Sequence, residues 1–305
     1  MRITNQSLTT NYLRNLNKNL EKMQTYQNQL SSGQEVSRPS DNPLLVSKIM
    51  SLENNIAQNV QYNKNIENTL SWVQTQDSAL GDVTATLQRV RELVVYGANG
   101  SLAETDRLAI KDEVEMQIGQ LADILNTNFD GRYIFAGQKT TEKPFNPNLI
   151  YNGDGNNISR EISKGVTIDL MTDGSKITTS DSATSENQRL NDLLKNIVSA
   201  LETSDDAMGG KTVEDLSNGL LGDLDQHLDN VIRVRSSIGA VYNRLEAAKG
   251  RNESESLNLT SLLSQRQDID VAEKYMEYSS MRAVYQASLS VGASILQPSL
   301  LDYLR

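Results

Sequence analysis

Hydrophobic residues near the N-terminus recur at spacings of three, four and seven, as on one face of a helix. This first apolar seam comprises Leu13, Leu16, Leu20, Met23 and Leu30. The predicted helix ends at Ser32-Gly33, because glycine favours the left-handed conformation that terminates helices. Asn42 before Pro43 has the chemistry of an N-cap followed by proline at the first helical position, so a second helix is expected to begin there.

The segment 44–96 repeats its seam at alternating spacings of three and four. Its apolar seam residues are Leu45, Ile49, Leu52, Ile56, Ile66, Leu70, Val73, Leu80, Leu87 and Val94. Polar residues occupy the seam at Asn59, Asn63, Asp77, Thr84 and Arg91. At 1.5 Å per residue such a helix extends about 80 Å. This length favours a bundle of long helices over a small globule.

A break at 97–101 precedes a third helix, predicted over 105–126. A glycine-flanked aromatic strand is expected over 128–137. All three phenylalanines of the chain lie between 129 and 145, and we expect them to form a local hydrophobic plug.

The following segment, 151–179, has the pattern of a small β-rich unit. Asn152-Gly153 and Lys164-Gly165 are typical of turns, and Val166, Ile168 and Leu170 alternate with polar residues. A further helix is predicted near 188–202.

The last helical pattern runs from about Asp223 to Leu296, and Gly250 offers a place for it to break. Its apolar seam includes Val234, Ile238, Val241, Leu245, Leu259, Leu262, Ile269, Met276 and Ala283. The predicted fold is mainly α with a small β-rich insertion, as an elongated antiparallel helical bundle or coiled coil formed by both chain ends. We divide the chain into a first helix and loop (1–42), rod helices (43–140), an acidic β-containing insertion (141–222), a last rod helix (223–270) and a terminal helix (271–305).

Composition argues against an ordinary compact enzyme. Aromatic residues make up 5% of the 305 residues, and there is no cysteine. A disulfide framework, a thiol nucleophile and a thiolate metal site are therefore excluded. A mean hydropathy of -0.48 suits long helices with narrow apolar seams.

The net charge of -10 is concentrated in the middle of the chain. Residues 146–230 contain 15 acidic and 6 basic side chains, a balance of -9. Nucleic acid is disfavoured as a partner, because no dense basic cluster is present to neutralise phosphates. The nearly neutral ends can pack against copies of themselves, whereas the acidic middle stays solvated.

Catalytic, cofactor and metal sites are not expected. His227 is the only histidine, and its acidic neighbours indicate a solvated helix position. Asn152, Asp154 and Asn156 resemble the start of a calcium loop, but Asn157 and Ser163 stand where such a loop needs glycine and glutamate. This segment is therefore interpreted as a turn.

Neither chain end is expected to insert into a membrane or to direct conventional export. The first residues lack the apolar run of a signal peptide. The uncharged stretch 283–301 contains Gln286, Gln297 and Pro298, which disfavour a membrane span. We expect this stretch to be a helix buried against protein.

Motifs at both ends resemble the flagellin superfamily. On the N-terminal side these are Ser37 to Pro43, Arg89 to Leu93 with Ala98 to Gly100, and Asn128 to Gly131; on the C-terminal side they are Arg235 to Ala240, Asn243 to Glu246 and Asp268 to Glu273. The resemblance covers about 1–140 and 225–305. Within the superfamily, 126–140 is most similar to the hook-associated junction proteins.

The resemblance implies an extracellular structural protein of the bacterial flagellum, placed as a layer between hook-associated protein 1 and the flagellin filament. It also implies self-association in a ring or helical layer, type III export, and an export chaperone that holds the C-terminal helix. A flagellin filament subunit is the alternative, and a secreted coiled-coil adaptor or effector is a further one.

The charge-poor ends supply the predicted interfaces. The polymerisation interface comprises Ile3, Leu8, Leu13, Leu16 and Leu20, packed with Leu289, Ile295, Leu296, Leu300 and Leu301. The predicted chaperone contact comprises Met276, Ala283, Leu289 and Leu296. An unpaired apolar seam should order only when neighbours bury it, so folding of the ends is expected to be coupled to assembly.

Overall fold

Long helices form both ends of the chain, and two short hairpins lie between them. The computed structural model describes residues 5–99, 102–180, 187–202 and 213–295. The chain divides into a terminal unit, Met1–Asn59 with Ser254–Arg305, and a central unit, Val60–Glu253. The prediction of a mainly α fold with a small β-containing insertion is confirmed.

The helices are α1 (Asn5–Ser32), α2 (Pro43–Gly97), α3 (Glu104–Leu125), α4 (Ser175–Thr178), α5 (Leu190–Glu202), α6 (Val213–Asp215), α7 (Leu221–Gln267) and α8 (Val271–Ile295). A π-helical turn, Leu216–Leu220, precedes α7. The strands are β1 (Asn128–Phe129), β2 (Arg132–Tyr133), β3 (Ile158–Ser163) and β4 (Val166–Leu170).

The start of α2 follows the predicted capping chemistry. The Asn42 side-chain Oδ1 accepts a hydrogen bond from the Leu45 backbone N–H at 3.2 Å, and Pro43 is the first helical residue. Gly33, just after α1, has a φ of 72°, as a helix-terminating glycine requires. The sequence around both helix ends is therefore sufficient to place them.

The aromatic segment forms a hairpin, so the prediction of one continuous strand over 128–137 is wrong. β1 and β2 pair antiparallel, and the two residues between them, Asp130 and Gly131, have positive φ values of 52° and 76°. Two successive positive φ angles are typical of the two-residue turn that joins the strands of a tight β-hairpin. The Asp-Gly dipeptide carried this signal.

The second hairpin follows the predicted alternation at Ile168 and Leu170 but not at Val166, which is 41% exposed. β3 and β4 pair antiparallel with Ile158 opposite Leu170. Ile168 and Leu170 are buried, and Gly165 in the turn has a φ of 73°. The Glu161 side-chain Oε1 accepts a hydrogen bond from the Gly165 N–H at 2.9 Å, which stabilises this turn.

The hydrophobic core lies in the central unit, where α2, α3, α5 and α7 pack around the segment that follows β2. Phe135 and Phe145 are fully buried, and Phe129 meets Trp72 edge-on with ring centroids 5.8 Å apart. The buried Gln76 amide donates hydrogen bonds to the carbonyl oxygens of Ile134 at 3.1 Å and Met171 at 2.9 Å. Gln76 thus joins α2 to both segments that pack on it.

Three ion pairs in the central unit establish that α2 and α7 run antiparallel. The pairs are Arg91 with Asp225 at 2.6 Å, Asp77 with Arg235 at 2.8 Å, and Glu67 with Lys249 at 3.2 Å. Residue numbers fall along α2 as they rise along α7. Asp77 and Arg91 are two of the polar positions in the predicted α2 seam, so these interruptions have partners.

The break in the last helical segment lies between Gln267 and Val271. α7 continues through Gly250, whose added Cβ would meet no atom within 4 Å. A single glycine weakens a helix without ending it, so the place we considered for a break is wrong. The observed break has a different cause, described below.

Candidate assembly surface

α1 and α8 lie antiparallel in the terminal unit. The Tyr12 hydroxyl donates a hydrogen bond to the Ser288 carbonyl oxygen at 2.7 Å, and Lys274 Nζ lies 5.7 Å from the centre of the Tyr26 ring. Moving towards the C-terminus of α1 therefore corresponds to moving towards the N-terminus of α8. Helices from the two ends of the chain pack together, as predicted.

Close packing of the pair depends on a glycine. Gly292 is buried, and a Cβ added to it would collide with the Tyr12 ring and hydroxyl. A side chain at position 292 would therefore require the Tyr12 ring to move, whereas glycine leaves the ring in place. The missing side chain lets α8 approach Tyr12 closely.

The loop after α1 is hydrogen-bonded to the segment that separates α7 from α8. The Glu35 N–H donates to the Gln267 carbonyl oxygen at 2.7 Å, and the Ile269 N–H donates to the Gly33 carbonyl oxygen at 3.2 Å. The buried Gln29 amide Nε2 donates to the Glu35 carbonyl oxygen at 2.7 Å. These backbone contacts satisfy groups that the interrupted helix leaves free.

Ion pairs between side chains add to these backbone hydrogen bonds. Lys274 Nζ lies 3.4 Å from a Glu35 carboxylate oxygen and 3.3 Å from one of Glu277. Burial disfavours the charged form of Lys274, but the two carboxylates outweigh this effect and raise its pKa. Lys274 thus links α8 to the loop that follows α1.

Asp270 caps the start of α8. Its Oδ1 accepts hydrogen bonds from the backbone N–H groups of Ala272 at 2.9 Å and Glu273 at 3.2 Å. An aspartate here, with glutamate three residues later, has the spacing of a capping box. The helix therefore restarts at Val271 because a cap and a paired loop replace the lost intrahelical bonds.

The terminal unit has almost no apolar core of its own among its described residues, 5–59 and 254–295. Ile49 is the one large hydrophobic side chain there that is buried. The exposed large hydrophobic residues of this unit are Leu13, Leu44, Met50, Leu257, Leu262, Val271, Tyr275, Met276, Val284, Leu289 and Val291. These side chains are available for contacts with other proteins.

Comparisons with known families account for both ends of the chain. The bacterial flagellin N-terminal helical region matches residues 3–140, and the bacterial flagellin C-terminal helical region matches residues 221–304. Together these regions cover well over half of the sequence. The chain belongs to the bacterial flagellin family.

Relatives in this family include both junction and filament proteins. The chain is 28% identical to flagellar hook-associated protein 3 of Escherichia coli K12, over 98% of this chain and all of that protein. It is also 28% identical to flagellin of Bacillus subtilis, over 97% of each chain. A crystal structure of flagellar hook-associated protein 3 from Legionella pneumophila shares the fold, with a TM-score of 0.63, 16% identity, and coverage of 71% of this chain and 98% of that one.

The predicted polymerisation residues that the structure describes lie on the α1 and α8 pair of this flagellin-family chain. Leu13 and Leu289 are 47% and 45% exposed, whereas Leu16 and Leu20 are half-buried. Leu8 and Ile295 belong to α1 and α8, but their side chains lie outside the described set. Ile3, Leu296, Leu300 and Leu301 lie outside the described residues altogether.

The predicted chaperone-contact residues that the structure describes lie on α8 and are exposed. Met276 is 66% exposed, and Ala283 and Leu289 are also exposed. Leu296, the fourth member, lies outside the described residues. The described members are therefore accessible to a partner in the isolated chain.

Several residues that shape this surface were missed by the sequence reasoning. Gly292 and Tyr12 meet across α1 and α8, a contact that no local pattern signals. Asp270 carried a usable signal, because aspartate and Glu273 have capping-box spacing immediately before a helical run.

His227 is buried, so the prediction of a solvated position is wrong. Its ring is 0% exposed, and its Nε2–H donates to the Asn187 carbonyl oxygen at 2.8 Å. Among the described residues, none forms a hydrogen bond with Nδ1. The buried Asp223 accepts a hydrogen bond from the Asn187 amide at 2.6 Å. Burial lowers the pKa of His227, and the Asn187 contact and the Asp223 charge offset this only in part.

A signal for this burial was present in the sequence. His227 continues the α7 seam of Leu224, Val231, Val234 and Ile238, all of which are buried. The adjacent aspartates suggested solvent, but seam spacing was the stronger signal.

The described parts of the chain offer no group of three or more His, Asp or Glu side chains suited to holding a metal ion. Among the same residues, no helix is long and apolar enough to cross a membrane. Asp154 instead organises a turn, because its Oδ1 accepts the Gln138 N–H at 2.8 Å and the Asn156 N–H at 3.3 Å.

Proposed function

We propose that the protein is a structural subunit of the bacterial flagellum that forms the junction layer between hook-associated protein 1 and the flagellin filament. Family membership at both chain ends supports a flagellar component. The match to hook-associated protein 3 over the full length of both chains supports the junction position. The protein acts outside the cell, as part of the assembled flagellum.

The apolar surface of the terminal unit is the single observation that carries the assembly mechanism. With Ile49 as the one buried large hydrophobic side chain among its described residues, the unit gains apolar burial chiefly from neighbouring subunits. The contact is head-to-tail, since a ring or helix of identical subunits needs two different, complementary surfaces. The acidic insertion takes no part in this contact of the terminal unit.

The polymerisation interface comprises the residues predicted from the sequence on α1 and α8. Leu13 and Leu289 are the described members that expose the most apolar surface within the pair. Because Leu13 and Leu289 are only partly buried in the isolated chain, neighbouring subunits can cover them while α1 and α8 stay in contact. The terminal residues 1–42 and 271–305 form the polymerising part in this proposal, 43–140 and 223–270 the rods, and 141–222 the insertion.

Export precedes assembly in this account. The chain leaves the cell through the flagellar type III apparatus, with a dedicated chaperone on α8. The exposed Met276 and its neighbours offer the apolar anchors that a helix-in-groove contact needs. The chaperone thereby shields the surface that later meets other subunits.

A deletion strain tests the junction function. Hooks should remain, filaments should be lost, and unpolymerised flagellin should accumulate in the medium. A plasmid copy of the gene should restore filaments. Normal filaments on the deletion strain would contradict the proposal.

A matched pair of variants tests the assembly surface. Leu13→Asp places a charge on an apolar side chain of the terminal unit, and Val166→Asp does the same at a comparably exposed site, 41%, in the central hairpin. Secretion should be normal for both, but only Leu13→Asp should fail to restore filaments. Equal restoration by the two variants would remove the assigned role of this surface.

A second matched pair of variants tests chaperone binding. Met276→Glu should abolish co-purification with the flagellar export chaperone, because the introduced charge opposes apolar docking. Met116→Glu changes a similarly exposed methionine of α3 and should bind normally. Unchanged binding by Met276→Glu, or by a chain lacking 276–305, would refute the assignment.

Flagellin is the second candidate, favoured by the equal identity to the Bacillus subtilis protein. Seeded polymerisation separates the two functions. A junction protein should add a short terminal layer to hook-derived seeds, whereas a filament subunit should extend them into long filaments by itself.

A further inference from the structure

An apolar groove of about 470 Å³ lies between α3 and α5 in the central unit. Buried Leu149 and Leu194 form its floor with half-buried Ile118 and Val198. Glu115 on α3 and Lys195 on α5 bring one charge of each sign to its edges. The terminal surface described above does not include this groove.

Gly119 keeps the groove open. It lies inside α3, and a Cβ added to it would meet no atom within 4 Å. Glycine destabilises a helix interior relative to alanine. Among the described residues, neither a positive φ nor a crowded neighbour requires glycine here, and the space over it is open to a side chain from outside the chain.

A ridge on α7 has the complementary chemistry. Ile232 is 46% exposed, Asp229 lies one turn before it, and Arg233 follows it. Residues separated by three and four positions share a helix face. The ridge therefore presents an apolar side chain accompanied by one acidic and one basic group, all three exposed.

We propose that the α3 and α5 groove receives this α7 ridge from a second copy of the chain. Ile232 of one copy enters above Gly119 of the next, with Asp229 facing Lys195 and Arg233 facing Glu115. Glu115 already lies 3.7 Å from Lys111, a long contact that leaves room for a guanidinium partner. Groove and ridge differ, so the contact is head-to-tail and repeats from subunit to subunit. The inference rests on the proposed function, because it assigns one contact within that assembled layer.

Disulfide crosslinking tests the contact directly, since the natural chain contains no cysteine. The Gly119→Cys and Ile232→Cys double variant, oxidised in detached flagella, should form dimers and larger multimers. Gly250→Cys combined with Ile232→Cys is the matched control and should remain monomeric on a denaturing gel. Gly250, like Gly119, is exposed inside a helix with open space for a Cβ.

Filament restoration in the deletion strain reports the junction function independently of the crosslink. Restored filaments without multimers would overturn the groove contact and leave the junction function standing. Crosslinks from the single Gly119→Cys variant, or to flagellin instead of this chain, would also overturn it. Failure of the unaltered gene to restore filaments would contradict the junction function itself.

Filling the groove provides a second measurement, which separates folding of the monomer from assembly of the layer. Gly119→Leu should fold, because the site is open, but should reduce the number of filaments per cell at least tenfold. Gly250→Leu should leave that number unchanged. Reversing the charge with Glu115→Arg should impair assembly several-fold, and adding Arg233→Glu should restore it. Full filament numbers with Gly119→Leu would contradict the proposal.

Discussion

Arg235 and Asp77 form an ion pair between α7 and α2, with Nε and Oδ1 2.8 Å apart. Further along the same helices, Arg91 of α2 pairs with Asp225 of α7, so the signs are reversed between the helices. Hydrogen bonds to Asp77 and Asp225, reinforced by their charges, raise the pKa of Arg235 and Arg91 respectively. If α2 and α7 were shifted along each other, both ion pairs would be broken. The polar seam positions therefore favour one antiparallel register.

Charge reversal at this pair tests the register. Arg235→Asp should lower the free energy of unfolding by about 0.2 to 1 kcal/mol, the range for an exposed pair. Asp77→Arg combined with Arg235→Asp should recover most of the loss, as measured by urea unfolding. Additive losses in the double variant would mean that the two side chains do not interact.

The buried Gln76 amide predicts a larger effect. Gln76→Leu leaves the Ile134 and Met171 carbonyl groups without their donor, and an unsatisfied buried polar group costs about 1 to 3 kcal/mol. Urea unfolding of the isolated chain should detect this decrease. Gln74→Leu, at an exposed position of the same helix, should change stability little. Equal stability of the two variants would contradict the role of Gln76.

His227 predicts that stability decreases in mild acid. Its folded pKa lies below the value of about 6.5 for an unfolded histidine. The unfolded chain therefore takes up the proton first, and stability is lost as pH falls through 6.5 towards the folded pKa. Thermal unfolding midpoints between pH 7.5 and 5.5 should show this decline for the natural chain and a weaker one for His227→Gln. A decline of the same size in both chains would exclude His227 as the cause.

The Asp270 cap predicts a local effect on α8. Asp270→Ala removes the acceptor for the Ala272 and Glu273 N–H groups, and loss of such a cap costs about 0.5 to 2 kcal/mol. Amide exchange in the first turn of α8 should accelerate. Asp270→Asn retains a capping oxygen and should exchange at nearly the rate of the natural chain, whereas an acceleration equal to that of Asp270→Ala would argue against side-chain capping.

Sequence patterns predicted those features whose causes are local. Asn42 and Pro43 define the start of α2 without help from distant residues. The alternation in β4 likewise predicted the burial of Ile168 and Leu170, although Val166, at the start of the strand, is exposed. Long seams predicted the helices because their periodicity persists over many turns.

Features that depend on distant partners were not predictable in this way. The break after Gln267 is paired with Gly33 and Glu35, which are more than 200 positions away in the chain. Gly250 is only a local weakness, and the helix continues through it. The requirement for Gly292 likewise comes from Tyr12, at the other end of the sequence.

The central claim is that neighbouring subunits complete the terminal unit, and amide exchange on isolated and assembled protein tests it most directly. Peptides covering α1 and α8 should exchange rapidly in the isolated chain, while α2 and α7 peptides from the central unit remain protected. In detached flagella the same α1 and α8 peptides should become strongly protected. Strong protection of both helices in the isolated chain, unchanged on assembly, would contradict the account.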